Sequence, residues 1–156
     1  MIRKVRLVLS TLVVVCGAIV TGVAEPALAE NYLLIINANN AFSGDPGAMK
    51  TVVKRLYLRQ ITDWPNSEKG NPFGRPSDSA AHRAFAKGVL GMTEAQLQAH
   101  WSRLKQTTGE TPPREVEKSR VLLRQIARKK GAFSVIAKSE ARKLPARVRV
   151  LFRFSE

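Results

Sequence analysis

Apolar residues fall along this chain in short continuous runs and in helical stripes, and the two periods mark out its elements. Tyr32-Leu33-Leu34-Ile35-Ile36 is an apolar run that stops at Asn37-Ala38-Asn39-Asn40, the pattern of a buried strand entering a polar loop. Asp45-Pro46 then offers an N-cap and a first-turn proline, and Met49, Val52, Val53, Leu56 and Tyr57 recur at helical spacing. Pro65, Gly70, Pro72, Gly74 and Pro76 keep residues 62–78 in loops around at most a short extended piece near Phe73. The next helix is predicted from Ser79 to about Leu90, with Ala81, Ala84, Phe85, Gly88 and Val89 on one face. After Gly91, the capping-box pattern Thr93-Glu94-Ala95-Gln96 opens a helix with Leu97, Trp101 and Leu104 on one stripe, which puts Trp101 in the core.

The chain breaks between Gly109 and Pro113. Pro112 and Pro113 after Thr111 predict a further helix start, with Val116, Leu123, Ile126 and Ala127 facing inward and Gly131 as its left-handed stop. Phe133-Ser134-Val135-Ile136 reads as a strand, Ser139 to Lys143 as a short helix, and Val148, Val150, Phe152 and Phe154 alternate in a last strand. The order is mixed α/β with more helices than strands, and no internal repeat interrupts it.

The segment before the first strand has a different character. Arg3, Lys4 and Arg6 precede an apolar stretch from Leu7 to Val20, and Ala27-Leu28-Ala29 supplies the small residues a signal peptidase needs. The stretch is short for a bilayer crossing, which takes about 20 apolar residues, so residues 1–29 are expected to be a cleaved signal peptide rather than an anchor. Cys16 is an unsuitable lipidation site because the bulky Val15 precedes it. Residues 30–156 are then one cysteine-free domain acting in a periplasmic or secreted location, with a core that stands on packing alone.

The formal net charge of the whole chain is +14, from 26 basic and 12 acidic residues. Losing Arg3, Lys4, Arg6 and Glu25 leaves the domain strongly basic, which suits either an ordinary soluble surface or an anionic partner. Catalysis finds little support. His82 and His100 have no metal-ligand spacing, no GxSxG elbow frames a serine, and no glycine-rich phosphate loop is present, so neither a metal nor a cofactor is expected. What remains are three loop-to-helix junctions, Asn40 to Asp45, Arg75 to Ser79, and Thr107 to Thr111, because helix N-termini bind anions through unpaired N–H groups and the dipole. At the second, Arg75 can fork onto an oxyanion while Ser77 and Ser79 add hydroxyls; an ordinary cap, with Ser77 or Asp78 satisfying backbone donors, is the alternative.

Leu58 to Met92, with Ile61-Thr62-Asp63-Trp64-Pro65, Arg75-Pro76-Ser77-Asp78-Ser79 and Val89-Leu90-Gly91-Met92, resembles the short phosphate ABC transporter substrate-binding-like proteins. Ile35 to Asn40, Thr108-Gly109 with Pro112-Pro113-Arg114-Glu115-Val116, and Lys130-Gly131-Ala132-Phe133 extend the likeness over most of residues 30–156. The resemblance implies a single lobe of the periplasmic-binding-protein type, with a small mixed sheet and flanking helices. It further implies a non-enzymatic solute-binding-like protein whose ligand is phosphate or a similar small oxyanion. By position, Arg75 matches the family's arginine and Ser79 its helix-opening serine, while Ser43 falls in the first anion loop and Thr108 in the later one. Asp78 stands where a glycine is usual, and Ala80 or Ala81 where a hydroxyl donor is usual, so weak binding is expected.

A membrane transporter or another envelope protein is the expected macromolecular partner. The alternative function is a basic module docking on anionic surfaces, since Arg120, Arg124 and Arg128 recur every fourth residue opposite Leu123 and Ile126. Nucleic acid is disfavoured by export and by the few aromatics placed to stack on bases. Protein recovered from outside the cytoplasm should begin at Glu30; intact-mass analysis checks this, and a species retaining Met1 or carrying lipid on Cys16 would contradict it.

Overall fold

The computed structural model describes residues 32–155; the expected signal peptide, Cys16 and the cleavage point lie outside them. β1 (Tyr32–Asn37) is buried along its whole length because both faces of its sheet are covered. β1 pairs antiparallel with β3 (Ala132–Ala137) on one side and with β4 (Val148–Phe154) on the other. β2 (Asn71–Pro72) joins β3 in parallel, so the mixed sheet has the order β2-β3-β1-β4.

Tyr32, Leu34 and Ile36 face a core built with α1 (Pro46–Tyr57), α2 (Ala80–Phe85) and α3 (Glu94–Thr108). Leu33 and Ile35 face a second, smaller core with Leu122, Leu123 and Ile126 of α4 (Ser119–Arg128). Helices thus cover both faces of a small mixed sheet, the α/β arrangement that the order of elements suggested. No helix among the described residues is long and apolar enough to cross a membrane.

The local signals behave as their chemistry requires. Asp45 Oδ2 caps α1 by accepting from the N–H groups of Gly47 and Ala48 at 2.9 and 3.2 Å. Thr93 and Gln96 close a reciprocal capping box at 2.9 and 3.2 Å, and Trp101, 4% exposed, packs edge-on to Tyr57. The helix expected from Ser79 to Leu90 holds its α geometry through Phe85 and then widens into a π-helical turn, Ala86–Leu90. Gly91, at φ 64°, ends it in the left-handed conformation that suits a glycine.

Four expectations need correction. The helix predicted at Pro112-Pro113 starts at Ser119 instead. Thr111 and Pro112 each precede a proline and are biased away from helical geometry, and the chain stays extended so that residues 114–116 pair with Gly74. Gly131 is not a left-handed stop: α4 ends at Arg128, and Lys129 is extended at φ −117°. The glycine is required because a Cβ there would lie 1.9 Å from the Lys69 carbonyl oxygen. The segment expected as a helix from Ser139 to Lys143 is a 3₁₀ turn, Lys138–Ala141. Finally, Val148, Val150, Phe152 and Phe154 do not share a face. A bulge in β4 leaves Leu151 unpaired, so Val148 and Val150 join the smaller core while Phe152 and Phe154 join the larger.

Gly131→Ala should lower the stability of the domain by about 1–3 kcal/mol, as overpacking against backbone does. Gly44→Ala, whose added Cβ would meet only Met49 Cγ at 3.9 Å, should change it by less than about 0.5 kcal/mol. Urea denaturation of the two variants compares them directly.

Candidate functional site

Arg75 reaches its place because the two residues before it are held on both sides. The Phe73 N–H donates to the Phe133 carbonyl at 3.0 Å, and the Phe73 carbonyl accepts from the Ser134 hydroxyl at 2.8 Å. The Gly74 N–H donates to the Arg114 carbonyl at 3.0 Å, while the Val116 N–H donates back to Gly74 at 2.9 Å. The Arg75 side chain then turns inward and is only 6% exposed, the one buried arginine among the described residues.

Its guanidinium is already engaged. Nη1 donates to the Val116 carbonyl at 3.0 Å, and Nη2 to Glu140 Oε1 at 2.9 Å, with Ser119 Oγ at 3.4 Å. Glu140 sits on the 3₁₀ turn after β3, and its carboxylate gathers donors from three elements. Besides Arg75, the Ser119 hydroxyl donates to Oε1 at 2.5 Å and the Ala137 N–H donates to Oε2 at 3.1 Å. A guanidinium, a hydroxyl and a backbone amide converging on one carboxylate form the donor set by which proteins hold oxyanions. A cavity of about 560 Å³ adjoins Glu140, lined also by Ser119, Arg120, Leu123, Arg124 and Lys143.

The remaining expected site residues lie apart from this cluster or serve the backbone. Ser79 caps α2, accepting from the His82 N–H at 3.2 Å and donating to the Pro76 carbonyl at 2.7 Å, so both roles of its hydroxyl are taken within the turn. Ser77 and Asp78 are exposed, and the Asp78 carbonyl accepts from Arg83. Ser43 is exposed in the loop between β1 and α1, where Asp45 already fills the helix end. Thr108 is the last residue of α3, its hydroxyl donating back to Leu104 at 2.9 Å. The Thr107–Thr111 junction is therefore a helix C-terminus, which presents carbonyls instead of N–H donors.

Sequence reasoning missed Glu140 and Ser119. Glu140 lies 65 residues from Arg75, and no spacing rule links the two.

His82 and His100 serve as tethers. His82 Nε2 lies 2.8 Å from Glu94 Oε2, joining α2 to the first turn of α3, and His100 Nε2 lies 3.1 Å from the Leu58 carbonyl. No group of three or more His, Cys, Asp or Glu side chains among the described residues could hold a metal ion. The Gln98 amide holds the Glu94 carboxyl below its ordinary value, opposed by burial and helped by the hydrogen bond and charge of His82. The Tyr57 phenol is pushed well above its ordinary value by burial first and then by the Glu115 and Glu94 carboxylates, so it stays a neutral hydroxyl.

Several solved structures share this chain's fold. A phosphate transport receptor of the ABC type from Vibrio cholerae superimposes with a TM-score of 0.57 at 14% identity, over 78% of this chain and 45% of that one. Over the matched part the fold is of the periplasmic-binding-protein type. A possible phosphate-binding protein from Planctomyces limnophilus matches with a TM-score of 0.56 at 12% identity, over 78% and 40% of the two chains. PstS from Borrelia burgdorferi matches with a TM-score of 0.57 at 10% identity, over 79% and 47%. The chain spans less than half the length of each of these structures. No family model and no curated protein matches the sequence.

The folded state holds the Glu94 proton less tightly than the unfolded chain, so ionised Glu94 stabilises the fold above the ordinary glutamate value of about 4.3. That contribution is lost as pH falls through the lowered folded value. Glu94→Gln should therefore show a shallower loss of stability than the parent across this acidic range, measured by urea unfolding at stepped pH.

Proposed function

We propose that this protein is an exported, non-enzymatic solute-binding lobe that recognises phosphate or a similar small oxyanion weakly, with Arg75 as its anchor. One observation carries the reading: in a receptor-type fold, the one arginine buried among the described residues directs its guanidinium at a carboxylate held also by a hydroxyl and a backbone amide. Residues 1–29 act as its signal peptide and residues 30–156 as the binding domain, delivered to a periplasmic or secreted location. Ser77 and Ser79 follow the anchor in its own turn, whereas Ser43 lies in another loop and Thr108 at the end of α3. A membrane transporter or another envelope protein is the partner to which such a lobe would present its ligand.

A second reading has an observation of its own. Arg120, Arg124 and Arg128 are exposed along α4 opposite the buried Leu122, Leu123 and Ile126, and no carboxylate among the described residues pairs with them. Such a face suits docking on an anionic surface.

Calorimetric titration with inorganic phosphate at fixed ionic strength separates the two. The parent should bind, Asp78→Gly should bind more tightly because a repulsive charge is gone, and Arg75→Lys should lose about ten-fold because a point charge replaces a bidentate fork. Absence of binding by both the parent and Asp78→Gly overturns the oxyanion reading. A thermal shift with an anionic polymer only, abolished by moderate salt, favours the docking face.

A further inference from the structure

Arg75 lies behind Glu140, a side chain that remains 32% exposed on a surface turn. Nε and Nη2 form one edge of a guanidinium, the edge that grips an oxyanion with two parallel bonds. Here Nη2 meets Glu140, while Nε is buried with no partner. The edge is half used. The other donors are the Ser119 hydroxyl, on the first residue of α4, whose N-cap residue Lys118 supplies no side-chain cap, and the Ala137 amide, at the end of β3. The cavity beside Glu140 carries Arg120, Arg124 and Lys143, which attract an entering anion and can receive a displaced carboxylate.

The geometry points to a second role for Glu140: it is the chain's own ligand, occupying an oxyanion site formed by Arg75, Ser119 and the Ala137 N–H, and an external phosphate binds by displacing it. This rests on the oxyanion reading above and adds the competitor that makes binding weak. A tetrahedral phosphate has enough oxygens to meet both Nε and Nη2 as well as the hydroxyl and the amide, whereas the Glu140 carboxylate meets Nη2, the hydroxyl and the amide and leaves Nε without a partner. The Arg75–Ser79 turn supplies the anchor, and α4 with the end of β3 supplies the rest of the receptor.

Glu140→Ala removes the internal ligand, and Glu140→Gln retains an acceptor for the Ala137 N–H while removing the charge, which keeps the test open if the alanine variant folds poorly. Both proteins, the parent, and the double variant Arg75→Ala/Glu140→Ala are titrated with inorganic phosphate at matched ionic strength, following the melting temperature. The expected result is a saturable rise in Glu140→Ala or Glu140→Gln at phosphate concentrations about ten-fold lower than in the parent, a factor that corresponds to roughly 1.4 kcal/mol, and no rise in the double variant. If the parent responds and neither Glu140 variant responds at lower phosphate, Glu140 is an ordinary ion-pair partner and this inference fails while the oxyanion reading stands. If none of the proteins responds, both fail.

Discussion

The contact between Gly131 and the Lys69 carbonyl is the constraint on which the site depends. Only a residue without a side chain lets the 62–72 loop lie this close to the start of β3. Once there, the Gly131 carbonyl accepts two bonds, from Trp64 Nε1 at 3.0 Å and from the Asn71 N–H at 2.9 Å. Trp64, 2% exposed, locks the loop by packing edge-on to Phe133. The chain leaves this clamp already aligned with β3, so Phe73 and Gly74 find their partners without a long strand to guide them. Arg75 inherits its position from that sequence of contacts. A buried guanidinium placed by a loop alone would have far more freedom to miss its partners.

The ion pair that results is better understood as a device for specificity than as a source of stability. Bringing Arg75 out of water costs several kcal/mol, and the attraction of Glu140 offsets this only because further hydrogen bonds accompany it. The pair ties together the turn before α2, the first residue of α4 and the 3₁₀ turn after β3. Three segments distant in sequence therefore meet at one charge. In a chain with 26 basic and 12 acidic residues, few carboxylates are present to neutralise a buried arginine, so the choice of Glu140 for that place shapes the local field strongly.

Elements governed by neighbouring residues are legible in the amino-acid sequence itself. Asp45-Pro46 and the Thr93–Gln96 box fix helix starts by hydrogen bonds within three residues, and β1 is marked by an unbroken apolar run. Local patterns mislead where a distant partner decides. Pro112 and Pro113 are equally compatible with a helix start and an extended segment, and the pairing of residues 114–116 with Gly74 selects the second. Gly131 carries the same ambiguity between a left-handed conformation and close approach, and Lys69 resolves it. In the candidate cluster, Arg75 stands out in the sequence by its place before a helix start, but the carboxylate that pairs with it lies across the fold and leaves no local trace.

The bulge at Leu151 has a consequence for how copies of this protein can associate. β4 is one outer strand of the sheet, and the other, β2, is only two residues long. A bulged strand carrying Arg149 and Arg153 is twisted and charged, which spoils it as a template for another backbone. Two molecules meeting edge to edge find neither a flat register nor a neutral one in which their strands can join. An edge of this kind disfavours the addition of a foreign strand to the sheet and leaves side chains and helices as the better surfaces for association.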